Sequence, residues 1–179
     1  TLIEKTQPNA LSICTPAGCH FKQILTAFDR GLPVFCEKPM FWEKKINQEI
    51  LESQINLLSK HPDRCLFLNT SNAYFMENVI QKTGRPSTIK SFSFKFHTQG
   101  PHRGKAIAED LLPHGFSLLI GLLGYGEISN LSKKVEPNSY ECQFNFKDCK
   151  VSFEFREEKD GPKHLAFSIN DREFTRWQK

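Results

Sequence analysis

Three side chains in this sequence stand where residue type and spacing would let them move charge or protons. The stretch from Gly31 to Met40, GLPVFCEKPM, is a short apolar run that finishes on Glu37-Lys38-Pro39. Lysine is rarely buried without a partner, so an apolar strand ending on Lys38 makes sense if that end opens into a cleft rather than the core. An ammonium group placed there would offset negative charge developing on a bound oxygen. Asp110 and His114 lie four residues apart, which is one helical turn, and so share one side of a helix. Pro113 is tolerated in a first turn, and this predicts a helix starting around residues 110 to 112. His114 would then sit near the positive end of the helix dipole, which favours the neutral imidazole that accepts a proton. Asp110 could orient that ring or stabilise its imidazolium form. The plainer alternative makes Asp110 an N-cap and His114 a packing residue. Just ahead of the pair, residues 97–109 carry His97, Gln99, His102, Arg103 and Lys105. These suit a phosphate, a carboxylate or a polyol, and equally a solvated loop.

These residues need elements to hold them. NALSICTP, from Asn9, is an apolar run stopped by Thr15-Pro16, and the next segment has Phe21, Ile24, Leu25 and Phe28 at helical spacing. LPVFCEKP shows no polar alternation and reads as a strand buried on both faces. Residues 42–60 read as an amphipathic helix with Ile46, Ile50, Ile55 and Leu58 near one stripe, and RCLFLNTS as a third buried strand. Strand, helix, strand, helix, strand at these lengths implies right-handed β-α-β units and a parallel sheet. A short helix is expected around Ala73 to Lys82, and then the period changes. Phe92, Phe94 and Phe96 alternate with Ser and Lys; Cys142, Phe144, Phe146 and Val151, Phe153, Phe155 suggest the two arms of a hairpin; Leu165, Phe167 and Ile169 continue the pattern. That pattern predicts a mainly antiparallel sheet with one dry face, covered by an apolar helix from about Leu111 to Leu123. The expected fold class is therefore α/β followed by α+β, with the boundary near residues 73 to 86 and domains of 1–76 and 77–179.

Bulk composition narrows the function classes. The 179 residues carry 24 basic and 20 acidic side chains, a net charge of +4, with the basic residues scattered rather than gathered in a stripe. No nucleic-acid partner is expected from that pattern. The longest apolar segment, Leu111 to Leu123, is interrupted by Pro113, His114, Gly115, Ser117 and Gly121, and no membrane partner is expected. The six cysteines form no C-x-x-C pair and no zinc-type spacing with histidine, so reduced thiols in a cytoplasmic protein, some in the core, are expected, and no metal site.

The ordered set of short motifs is more specific than any one of them. Thr15-Pro16 with His20, then Glu37-Lys38-Pro39 about one helix later, then Asp110 and His114 in a sheet domain, resembles the Gfo/Idh/MocA oxidoreductases. That family takes its name from glucose–fructose oxidoreductase, inositol dehydrogenase and their relatives. The resemblance runs from about Asn9 to Gly124. It implies that the first part is the second half of a Rossmann-type dinucleotide-binding domain, and the rest a substrate and oligomerisation domain. It also implies NAD or NADP as cofactor, a sugar, polyol or related hydroxy or carbonyl substrate, and a possible homo-oligomer through the second-domain sheet. On the matching positions, Thr15, Pro16, His20, Glu37 and Pro39 would belong to the cofactor edge. Lys38 would lie between the nicotinamide ribose and the substrate oxygen, His114 would exchange the hydroxyl proton, and Asp110 would hold substrate or imidazole. A cis Lys38–Pro39 peptide is implied as well.

The family's opening G-x-G-x-x-G turn does not occur in these residues, a shortfall of about two β-α units or roughly 60 residues. Three readings stay open on sequence alone. The chain is a fragment or short form of a dehydrogenase, or a cofactor-less pseudoenzyme, assembly or ligand-binding subunit, or it draws the absent strands from another chain or catalyses a redox-free reaction.

Overall fold

A computed structural model describes residues 2–41 and 47–176. The chain divides into two compact units, Thr1–Asn69 and Thr70–Lys179, and each is described by itself.

The first unit opens on a short helix α1 (Leu2–Thr6) and continues β1 (Leu11–Ile13), α2 (His20–Phe28), β2 (Val34–Cys36), α3 (Gln48–Ser59) and β3 (Leu66–Leu68). The three strands form one parallel sheet in the order β1-β2-β3, as the strand–helix alternation predicts. Parallel pairing sets Ile13, Cys36 and Leu68 side by side, and Ser12, Phe35 and Phe67 on the opposite face. The core forms where Ile24, Ala27 and Phe28 of α2 meet Ile13, Val34 and Cys36, with Leu58 of α3 packed against them.

The expectation of strands buried on both faces is corrected here. Phe35 is 43% exposed and Phe67 is 63% exposed, because α2 packs on the Ile13–Cys36 side and the alternation of side chains turns these two rings the other way. Cys14 lies just past the end of β1 and is exposed. Helix α3 begins after Asn47, whose side chain accepts a hydrogen bond from the Ile50 N–H at 2.9 Å, an N-cap. The part of the predicted helix at Trp42–Ile46 falls outside the described residues. The stripe is also rotated: Gln54 is buried and Ile55 is 45% exposed, so Ile50, Gln54 and Leu58 mark the inward side.

The second unit holds α4 (Ser71–Thr83), β4 (Ser91–Thr98), α5 (Lys105–Leu123) and then β5 (Ile128–Val135), β6 (Ser139–Phe146), β7 (Cys149–Glu157), β8 (His164–Ile169) and β9 (Arg172–Thr175). The six strands form one sheet in the order β5-β6-β7-β4-β8-β9, antiparallel except where β4 runs parallel to β7. Register across the centre puts Phe94 beside Phe153 and Phe167, and Cys142 beside Phe153, so the alternating phenylalanines merge into one dry face. Helix α5 lies on that face through Ile107, Leu111, Leu118, Leu119 and Leu122. The approach is close at Gly115, where a Cβ would come within 2.9 Å of the Phe153 ring. By length and composition α5 could cross a membrane, but here it is the core helix of its unit. Strand β5, exposed along its whole length, was not evident in the sequence because it contributes nothing to the dry face that gives the other strands their pattern.

Candidate functional site

The chemistry-bearing residues of the first unit gather at the carboxyl ends of the three parallel strands. This is the edge where open parallel sheets bind ligands. Thr15-Pro16 follows β1, Glu37-Lys38-Pro39 follows β2, and Asn69 follows β3. The backbone continues the ladder into these residues, with Glu37 N–H donating to the Ile13 carbonyl at 3.0 Å and Asn69 N–H to the Cys36 carbonyl at 2.8 Å. The Asn69 amide then donates to Glu37 Oε1 at 2.6 Å, which ties the ends of β2 and β3 together and fixes the residue before Lys38.

His20, at the first turn of α2, holds the other pair of strand ends. Its ring is 1% exposed, with Nε2 2.7 Å from the Thr15 carbonyl oxygen and Nδ1 2.8 Å from the Pro39 carbonyl oxygen. Carbonyl oxygens only accept, so both contacts are hydrogen bonds when both ring nitrogens carry protons. The imidazole thus bridges the loop after β1 and the loop after β2. Thr15 and Pro16 are exposed, Thr15 Oγ1 donates to Gln23 Oε1 at 2.6 Å, and Lys38 is half-buried. The Lys38–Pro39 peptide is cis, as the family resemblance implies.

In the second unit, α5 starts at Lys105 rather than at residues 110 to 112, a correction to the sequence reading. Gly104 is the N-cap and its N–H donates to the Pro137 carbonyl, so the chain turns into the helix five residues early. Pro113 therefore sits in the interior, where its missing N–H removes one helical hydrogen bond, the one to the Glu109 carbonyl. Packing of the apolar face on the phenylalanines compensates for that loss. Asp110 lies in the second turn and His114 in the third, so the helix-dipole argument for His114 no longer applies. Their shared side of α5 survives. His114 meets Phe96 edge to face with ring centroids 5.3 Å apart, and Asp110 Oδ2 is 3.8 Å from His102 Nδ1.

Sequence reasoning missed two members of these constellations. Asn69 had a weak signal, a polar residue closing the third apolar run. Glu157 had a stronger one: Val151, Phe153 and Phe155 point inward at a period of two, and Glu157 continues the same phase, so an acid falls where a core residue is due. It is fully buried at the end of β7, with His102 as its partner.

With this geometry in place, comparison with known proteins becomes specific. Residues 1–64 match the model of an oxidoreductase family with an NAD-binding Rossmann fold, Gfo/Idh/MocA. Over these residues the chain is similar to the Gfo/Idh/MocA oxidoreductases. A curated relative, inositol 2-dehydrogenase 4 of Saccharopolyspora erythraea, is 33% identical over 54 residues, covering 30% of this chain and 16% of that protein. Solved structures extend the likeness to the second unit at the level of fold. The WlbA (WbpB) dehydrogenase from Thermus thermophilus, in complex with NAD and UDP-GlcNAcA, matches with a TM-score of 0.73 at 16% identity, covering 96% of this chain and 61% of that one. GenD2 from gentamicin A biosynthesis, in complex with NAD, matches at 0.70 with 18% identity over 98% of this chain and 57% of its own. A probable dehydrogenase from Thermotoga maritima gives 0.73 at 14% identity over 94% and 56%. The chain thus spans less than two thirds of these relatives.

Proposed function

We propose that this chain carries the nicotinamide-end and substrate residues of an NAD(P)-dependent oxidoreductase acting on a sugar, polyol or related hydroxy or carbonyl compound. The observation that carries the reading is the clamped edge of the first unit. Lys38 stands at a parallel-sheet carboxyl end, on the second of two loops whose backbones the buried His20 imidazole contacts. The Gfo/Idh/MocA match over residues 1–64 includes these loops.

The residues present fit the nicotinamide end of the cofactor. Thr15 and Pro16 are exposed, and buried His20 contacts the backbone at Thr15 and at Pro39, next to Glu37 and Lys38. The pyrophosphate-binding glycine turn is not among these residues, so the proposal concerns this end alone. When bound, the nicotinamide supplies the hydride acceptor or donor. Lys38 Nζ donates a hydrogen bond to the substrate oxygen and stabilises the negative charge that gathers there. His114 takes the hydroxyl proton on a ring nitrogen during oxidation and returns it during reduction. Asp110 accepts a hydrogen bond from substrate or imidazole and so orients the donor. A homo-oligomer through the polar face of the six-stranded sheet, and a cytoplasmic setting, belong to the same reading.

Titration with NADH and NADPH, followed by nicotinamide fluorescence, together with turnover on a panel of sugars and polyols, tests the proposal. His114→Ala is expected to lower kcat by roughly 100-fold to 10,000-fold, and Lys38→Ala by roughly 100-fold to 1,000-fold. Turnover that survives both substitutions, or a nicotinamide ring that leaves the residues after β1 and β2 unperturbed, would overturn it.

A further inference from the structure

A second arrangement in the six-stranded unit has no place in the mechanism just given. Glu157 closes β7 with its carboxylate fully buried, a costly position for a charged group unless it is fully partnered. Its partner is one residue used twice: His102 donates its backbone N–H to Oε2 at 2.8 Å and presents Nδ1 at 3.1 and 3.2 Å from the two oxygens. The loop is shaped around this carboxylate. At Gly100 any Cβ would overlap Glu157 Oε2, so the chain can pass there only without a side chain. Arg103 donates to the carbonyls of His102 and Glu157, and Gly100 N–H donates to Thr98 Oγ1, which binds the loop to the ends of β4 and β7.

The same Nδ1 lies 3.8 Å from Asp110 Oδ2, on α5. Three ionisable groups from three elements thus come within 4.8 Å of one another: a strand end, a loop and the helix that bears the D-x-x-x-H pair. A buried carboxylate that anchors the loop accounts for both the backbone N–H and the Nδ1 contacts of His102. The approach of the same imidazole to the Asp110 carboxylate on α5 is what that simpler role leaves unexplained.

We propose that Glu157 and His102 are positioning residues for Asp110: the buried carboxylate fixes the imidazole, and the imidazole holds the Asp110 carboxylate in one orientation toward substrate. The part of this that concerns substrate rests on the function proposed above. The part that concerns orientation stands on the distances. Neither group touches the reacting atoms. Such a pair matters because a carboxylate that samples several rotamers spends part of its time unable to accept the hydrogen bond asked of it; groups that orient metal ligands set the scale of such effects, at about 10-fold to 100-fold in activity.

The test is the side-chain rotamer of Asp110, read from χ1 couplings in the isotopically labelled chain. The wild type is expected to show one dominant rotamer. His102→Ala is expected to average it while amide exchange along α5 stays as in the wild type. His102→Asn, whose amide nitrogen overlies the Nδ1 position, is expected to restore it. Glu157→Gln gives a second probe, with averaging again expected; because that position is buried, the half-exposed His102 variants decide the matter if Glu157→Gln fails to fold. Turnover should follow, with kcat down about tenfold or more in His102→Ala, KM little changed, and recovery in His102→Asn. A single Asp110 rotamer in His102→Ala would overturn the proposal. So would a melting temperature raised by added Zn2+ in the wild type but not in His102→Ala, since the cluster would then be a metal site. Loss of nicotinamide binding would remove the reading of function and leave the rotamer result intact, so the two failures are distinguishable.

Discussion

The two units of this chain are built to different standards, and the contrast separates what folds the protein from what identifies it. The six-stranded unit has a continuous apolar core in which Phe92, Phe94, Phe153, Phe155 and Phe167 are packed ring against ring under α5. The three-stranded unit packs α2, with Leu58 of α3, on a small core and leaves Phe35 and Phe67 exposed. Yet the sequence match to a family lies over residues 1–64, in the thinner unit. Likeness to solved structures, which covers 94 to 98% of the chain, shows as fold at 14 to 18% identity. A phenylalanine face can be rebuilt from many apolar sequences, provided volume and period are kept. On the function proposed above, an edge that brings Thr15, Lys38 and the His20 imidazole to fixed positions has far fewer solutions.

This contrast can be broken by substitution. Phe153→Ala should have the largest effect, since the ring is buried and meets Phe92, Phe94, Phe116, Phe144 and Phe155. A loss of about 3–5 kcal/mol in the unfolding of the second unit is expected by denaturant titration. A markedly smaller loss would mean that the phenylalanine layer can collapse around the gap. His20→Ala is next, at about 1–3 kcal/mol, because it leaves the Thr15 and Pro39 carbonyls without their partner. Hydrogen exchange should accelerate in the loops after β1 and β2 and stay unchanged on β6 and β7; protection lost evenly through both units would contradict their separate description.

A smaller effect is expected at His97. Burial lowers its pKa from the ordinary 6.5, a hydrogen bond with Glu154 works against this, and Arg156 and His164 act with burial. The fold therefore prefers the neutral ring. Its contribution to stability is complete above the unfolded value of about 6.5 and declines as pH falls through that value, where the unfolded chain takes up the proton first. His97→Gln should flatten that acid limb; an unchanged limb would assign it to other groups. The smallest effect is predicted for Phe67→Ala, at 63% exposure within about 0.5 kcal/mol of wild type by denaturant titration. A large loss would show that the open face of the three-stranded sheet is covered.

Much of this organisation is legible in the sequence, for reasons that differ between the units. The alternation of Phe92, Phe94 and Phe96, and of Val151, Phe153 and Phe155, announces a half-buried sheet because side chains on a strand change face at every residue. The carboxyl edge was legible through the order of Thr15-Pro16, His20 and Glu37-Lys38-Pro39. The burial of Phe35 and Phe67 was misjudged because an unbroken apolar run looks the same whether one face or two are covered. The start of α5 is not legible locally, because Pro113 looks like a boundary while Gly104 and the bond to the Pro137 carbonyl set it. That bond joins residues 33 apart, and no local pattern reports it. The pairing of His102 with Glu157 is of the same long-range kind.

The central claim is that the loops after β1 and β2 form the nicotinamide end of a hydride-transfer site. The most direct measurement uses a probe that needs only that end. Reduced nicotinamide mononucleotide, titrated into the 15N-labelled chain, is expected to shift the amides of Thr15, Glu37, Lys38 and Asn69, and to lose this effect in His20→Ala. Shifts confined to the second unit, or none at concentrations that saturate nicotinamide enzymes, would contradict the account.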